Sequence, residues 1–181
     1  MYAIASLFDP ESDTAVRQIW DRFEAHCGFT GMNSTPLPHL SWVGADSFLF
    51  QPVEEGLRSL SAEVTGPLKI ITSGIGIFTG PNPVVYISVV KSPALFNLHR
   101  IIWETARPFA VVVNRHYHPD RWIPHITLAY HPLEPSQFGC AISDVAFQRI
   151  SLEIELTSLA VITNNQGQGG VHSQFMFQKE G

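Results

Sequence analysis

Short apolar runs alternate along this chain with segments of helical period. Tyr2–Phe8 is apolar and β-prone, and the acidic, proline-bearing stretch after it ends a strand. Val16, Ile19, Trp20 and Phe23 recur at the spacing of one helix face, with Ser12 or Asp13 placed to cap that helix and Gly28 to end it. The run from Thr35 to Gly44 reads as a strand entered through two prolines, and Val53–Val64 as a second helix. Leu68–Phe78, a strand bent at its glycines, and Val84–Val90 flank a Gly-Pro-Asn-Pro turn, which predicts a hairpin. Ser92 and Pro93 open a third helix with Leu95, Leu98, Ile101 and Ile102 on one side. A loop of polar rings, residues 114–122, leads into a strand at 123–130. Residues 134–146 accommodate a short helix, and the remainder reads as strands around a Gly/Gln/Asn loop at 164–170. Helices interleaved with antiparallel strands predict the α+β class. No linker divides residues 1–181, so one domain is expected.

Composition narrows the partners. The net charge is −5, with 11 Lys and Arg against 16 Asp and Glu. Proteins that grip long nucleic acids rely on cations against phosphates, so extended nucleic acid is not the expected ligand. A small phosphorylated molecule or a strand tip remains compatible. No apolar run reaches the length of about 20 residues that a membrane helix needs, and the start has no basic leader. Cys27 and Cys140 have neither metal nor redox spacing, so no disulfide is expected and a reducing cytoplasm is the default setting. A monomer is expected.

One pattern occurs twice. Pro38-His39-Leu40-Ser41 and Pro124-His125-Ile126-Thr127 lie nearly half the chain length apart. In a strand, residues i and i+2 share a face. His39 and Ser41 therefore point together, as do His125 and Thr127, while Leu40 and Ile126 turn toward a core. Two similar halves would bring both pairs to one cleft. That set suits phosphodiester chemistry. One imidazole takes a proton from the attacking oxygen, the other protonates the leaving oxygen, and the hydroxyls hold the phosphate. No metal or other cofactor is required by that scheme.

These paired Pro-His-x-Ser/Thr motifs resemble the 2H phosphoesterase superfamily, which includes the bacterial 2′–5′ RNA ligase-like proteins and the cyclic phosphodiesterases. The segment from Gly74 through Phe78, Val84–Val90 and the following helix is similar to that family's middle segment, where a Gly-x-Gly-x-Phe strand meets a second strand and a helix. The resemblance implies a bilobal α+β fold of two pseudo-symmetric halves, with antiparallel sheets around a central cleft and helices outside. It implies catalytic roles for His39, Ser41, His125 and Thr127. It also implies a substrate with a 2′,3′-cyclic phosphate or a 2′–5′ phosphodiester, at an RNA terminus or in a small nucleotide. Many ligase-like members place an arginine three residues after the Thr. Here Tyr130 stands there and can hydrogen-bond or stack but supplies no charge.

Other residues have two readings each. Tyr117 and Trp122 either hold the loop or stack on a base. Phe8 either packs in the core or lines the cleft, and Trp42, next to Ser41, should point into the core. His116, His118, Asp120 and His125 invite a metal reading, yet match no strong ligand spacing. His26, His99, His131 and His172 are assigned to the surface or to element ends. Two rivals to the enzyme follow: a module that binds a nucleotide or RNA end without turnover, and a metal-dependent hydrolase built on the rim histidines.

Overall fold

A computed structural model describes residues 1–34, 36–130, 132–165 and 168–178. Thr35, His131 and the tip of the 164–170 loop lie outside the described residues, as do the last three. The chain runs β1 (Tyr2–Leu7), α1 (Pro10–Cys27), β2 (His39–Phe48), α2 (Phe50–Glu63), β3 (Leu68–Phe78), β4 (Val84–Val89) and α3 (Pro93–Ala106). Then come β5 (Ala110–Val113), β6 (His125–Ala129), α4 (Pro135–Ala146), β7 (Glu153–Leu156), β8 (Ser158–Asn165) and β9 (Gln168–Met176). Two antiparallel sheets result, in the orders β5-β2-β1-β8-β9 and β6-β4-β3-β7. The α+β reading holds, and each His motif heads a strand in a different sheet.

Local chemistry sets the boundaries. Helix α1 begins earlier than its apolar period suggests, because Asp9, not Ser12 or Asp13, is the cap. Its carboxylate accepts the Ser12 N–H at 2.9 Å and the Ser12 hydroxyl at 2.7 Å, with Pro10 in the first turn. Helix α2 likewise starts at Phe50, before the expected Val53. Helix α3 has its expected Ser92 cap, accepting the Leu95 N–H. Its inner face, however, is Leu95, Leu98, His99, Ile102 and Trp103, while Ile101 stays exposed. Strand β5, an apolar stretch that the sequence reading passed over, pairs with β2 at the sheet edge. The expected β3–β4 hairpin forms, with its irregularity between Thr72 and Ile75.

One hydrophobic cluster draws on both sheets and all four helices, with Val16, Phe23, Leu40, Trp42, Leu57, Ile87, Leu95, Ile126 and Ala141 all fully buried. A Leu or Ile side chain buried completely contributes about 1.5–3 kcal/mol, so the strand faces opposite the motif residues are strongly fixed. Phe8 bridges to Leu156 and so connects the two sheets, while its ring packs against this core.

Two expectations are corrected. Cys27 and Cys140 form a disulfide joining α1 to α4, with Cα atoms 5.6 Å apart; separation in sequence concealed their proximity in space. The cytoplasmic setting inferred from unpaired thiols loses that support, since disulfides are rare in reducing compartments. His99, assigned to the surface or to an element end, has no exposed area and lies within α3. His26 and His172 do lie at the surface, beside Asp144 and Glu54. No helix among the described residues is long and apolar enough to cross a membrane.

Candidate active site

His39 and His125 are the first residues of β2 and β6, each behind a buried proline. Each ring turns back on its own chain. His39 Nδ1 lies 2.6 Å from the Leu37 carbonyl, and His125 Nδ1 lies 2.7 Å from the Ile123 carbonyl. A carbonyl only accepts, so Nδ1–H is the donor in both bonds. Nε2 is then the atom free to exchange a proton: a lone pair in the neutral ring, an N–H in the charged one. The intervening proline fixes φ near −65° and helps to aim each carbonyl at its ring. The same device is built twice, once in each sheet.

The strand pleat does the rest. Leu40, Trp42, Ile126 and Leu128 are fully buried on the core side. His39, Ser41, His125 and Thr127 line one cavity of about 390 Å³, together with Tyr117 and Tyr130. Burial pushes the pKa of both imidazoles below the ordinary value, and the carbonyl bonds oppose it. His125 also feels the His39 charge, which lowers it further. The Tyr117 phenol, raised by burial, hydrogen-bonds the Ser41 side chain.

A supporting layer that the sequence reading missed repeats this two-fold pattern. The Trp122 indole N–H donates to the Ser41 carbonyl at 3.1 Å, and the Trp20 indole N–H donates to the Thr127 carbonyl at 3.3 Å. Trp122 is buried, stacked on Trp42 at 5.5 Å and on His99 at 3.9 Å. Its expected stacking on a base is therefore corrected: the residue is buried and its ring is already stacked on His99. His99 Nε2 bonds the Trp42 carbonyl at 3.1 Å, so two rings of the stack hold consecutive carbonyls of β2. Phe8 is not in the cavity wall, which corrects its alternative reading. No short-range motif marks Trp20 or His99, because their partners are far away in sequence.

The Gly-x-Gly-x-Phe segment serves His125. Gly74 has φ +100° at the β3 irregularity, a conformation that L side chains rarely adopt. At Gly76 an added Cβ would collide with the Tyr86 ring. The space left by the missing side chain lets Tyr86 stack on Phe78 at 4.2 Å, and both rings meet His125 edge-on, at 5.2 Å and 4.9 Å.

The rim histidines do not assemble. His118 pairs with Asp120 at 3.5 Å and meets Trp103, whereas His125 is turned to Ile123. Among the described residues no group of three or more His, Cys, Asp or Glu is arranged to hold a metal ion.

Comparison with known proteins agrees with this fold. The model of the 2′-5′ RNA ligase superfamily matches residues 8–168. No curated protein matches the sequence. Among solved structures, TT0787 of Thermus thermophilus superposes with a TM-score of 0.68 at 16% identity, covering 99% of both chains. E. coli LigT complexed with NADP+ superposes at 0.53 with 14% identity, covering 98% of this chain and 96% of that one. LigT complexed with 3′-AMP gives 0.52 at 14% identity, with 97% and 96% covered. At these identities the likeness is one of fold.

Proposed function

The chain belongs to the 2′-5′ RNA ligase superfamily, and on that premise we propose that it is a metal-independent phosphoesterase. Its substrates are 2′,3′-cyclic phosphates or 2′–5′ phosphodiesters, in RNA ends or small nucleotides. The observation that carries this reading is the pair of imidazoles anchored through Nδ1, lining one cavity with two hydroxyls.

The chemistry balances with these groups alone. A neutral imidazole takes a proton at Nε2 from water as its oxygen bonds to phosphorus. The charged partner gives its Nε2 proton to the departing ribose oxygen, leaving a phosphomonoester. Ser41 and Thr127 donate to the non-bridging oxygens and keep the phosphorus in line. With a 5′-hydroxyl in place of water attacking a cyclic phosphate, the same transfer is ligation, and its reverse is cleavage of the phosphodiester. Tyr117 and Tyr130 wall the cavity, within reach of a base or sugar. A module that only binds needs no acid–base pair, so the matched Nδ1 anchors favour turnover over simple capture. LigT complexed with 3′-AMP, ATP and NADP+ adds support for a nucleotide in this fold.

The test is turnover of 2′,3′-cyclic nucleotides and 2′–5′-linked dinucleotides by purified protein, with and without EDTA. Hydrolysis at an undiminished rate in chelator is expected. Loss with EDTA and rescue by zinc or manganese would favour a metal-dependent hydrolase instead.

A further inference from the structure

Beyond His125 the cleft does not end. A second hollow, of about 610 Å³, adjoins the first and shares Phe78, Val84, Tyr117 and His125 with it. The two cavities differ in charge. Among the described residues lining the first there is no lysine or arginine. The second is lined by Arg121, with His116, Asn82 and Asn114 as further polar groups, and by no Asp or Glu among the described residues. Its apolar walls include Ile77 and Ile123, both well exposed.

Arg121 is not on a loose loop. The segment is capped where Asn114 accepts the His116 N–H at 3.0 Å. Lys91 Nζ clamps it by donating to the Trp122 carbonyl at 3.0 Å, and Trp122 itself is plugged into the core. The Arg121 N–H is held by the His118 carbonyl at 2.8 Å. The guanidinium makes no ion pair with a described residue, so its charge is available in the hollow.

We propose that this hollow is a second phosphate subsite, in which Arg121 and His116 grip the phosphodiester next to the reacting one and Phe78, Ile77 and Ile123 cover the adjoining nucleotide. The preferred substrate is then the end of a single RNA strand, of at least two nucleotides, rather than a free cyclic mononucleotide. This deepens the proposed function and rests on His39 and His125 holding the reacting phosphate. A guanidinium suits a phosphate because it offers paired, charge-assisted N–H donors. An apolar wall beside it accepts a base face with little regard to sequence. An acidic protein can bind a short strand in this way, since one local cation replaces an extended basic face.

The test is equilibrium binding, kept apart from turnover. Adenosine 2′-phosphate and a diribonucleotide ending in a 2′-phosphate are titrated calorimetrically into wild type and Arg121→Gln, at two salt concentrations. The diribonucleotide should bind wild type about 10-fold more tightly, as expected for one hydrogen bond to a charged group. Its log–log salt dependence should be steeper by about 0.7, the contribution of one more phosphate contact on a single strand. Arg121→Gln should remove most of both differences. Equal affinity for the two ligands, an advantage that survives Arg121→Gln, or binding of neither overturns the subsite. Turnover of the matching cyclic phosphates separates the two claims. Catalysis without the binding advantage contradicts the subsite alone, and the binding advantage without catalysis contradicts the phosphoesterase reading alone.

Discussion

Replacing His99 by Phe should make the protein less stable at neutral pH and relatively more resistant to acid. The His99 ring is fully buried, parallel to Trp122 at 3.9 Å, with Nε2 bonded to the Trp42 carbonyl. Burial is the main cause that lowers its pKa to about 4; the Trp42 bond opposes this and the Lys91 charge adds to it. In the unfolded chain the same group titrates near its ordinary 6.5. Below that pH the unfolded chain binds a proton that the folded ring refuses. Stability is therefore complete above about 6.5 and is lost as pH falls toward 4. At about 1.4 kcal/mol per pH unit, that interval amounts to about 3 kcal/mol, a large share of the roughly 5–15 kcal/mol that holds a typical domain. Phe keeps the stack but leaves the Trp42 carbonyl unpaired, at a cost of about 1–3 kcal/mol. Urea unfolding at pH 7 and at pH 4.5 reads both terms. Wild type should be the more stable at pH 7 and lose most of its advantage by pH 4.5. Two proteins that lose stability in parallel over this range would refute the buried, neutral His99.

Two further outcomes follow from particular contacts. Gly76→Ala puts a methyl group into the Tyr86 ring; overpacking of this kind costs about 1–3 kcal/mol, and turnover should fall because Tyr86 and Phe78 hold His125, as a urea midpoint and an initial rate on one sample will show. Reducing the Cys27–Cys140 disulfide, which closes a loop of sequence separation 113, should lower stability by about 2–4 kcal/mol. Neither cysteine lines the cavity that holds His39 and His125, so the reduced protein should keep its rate below its unfolding transition.

Much of this was legible in the sequence because the decisive signals are local. A two-residue period places His39 with Ser41 and His125 with Thr127, and burial of Leu40 and Ile126 on the opposite face follows from the same period. Proline before each histidine reads as a strand entrance, but its effect on the ring is visible only through the carbonyls of Leu37 and Ile123. What escaped reading depends on contacts between distant segments. Trp20 reaches Thr127 and Trp122 reaches Ser41 across long sequence gaps. Trp122 sits in a polar loop yet is buried, because the loop folds its one large apolar ring under Lys91 and onto His99. Cys27 and Cys140 meet only because α1 packs on α4, and no spacing rule announces that. Strand β5 was hidden because an edge strand with exposed Val111 and Val112 lacks alternation.

In the proposed reaction two imidazoles share one phosphate, and the dependence of kcat/KM on pH for a 2′,3′-cyclic phosphate tests this most directly. Wild type is measured beside His39→Ala and His125→Ala. Burial lowers both pKa values, and the active form carries one proton on the pair. The wild-type profile should therefore be a bell whose two apparent pKa values belong to the pair, with its maximum below the ordinary histidine value of about 6.5. Each substitution removes one proton-transfer partner and should cost at least about 100-fold. A flat wild-type profile from about pH 5 to 9, across the range where histidine titrates, or full turnover by either variant, would contradict the paired-histidine mechanism.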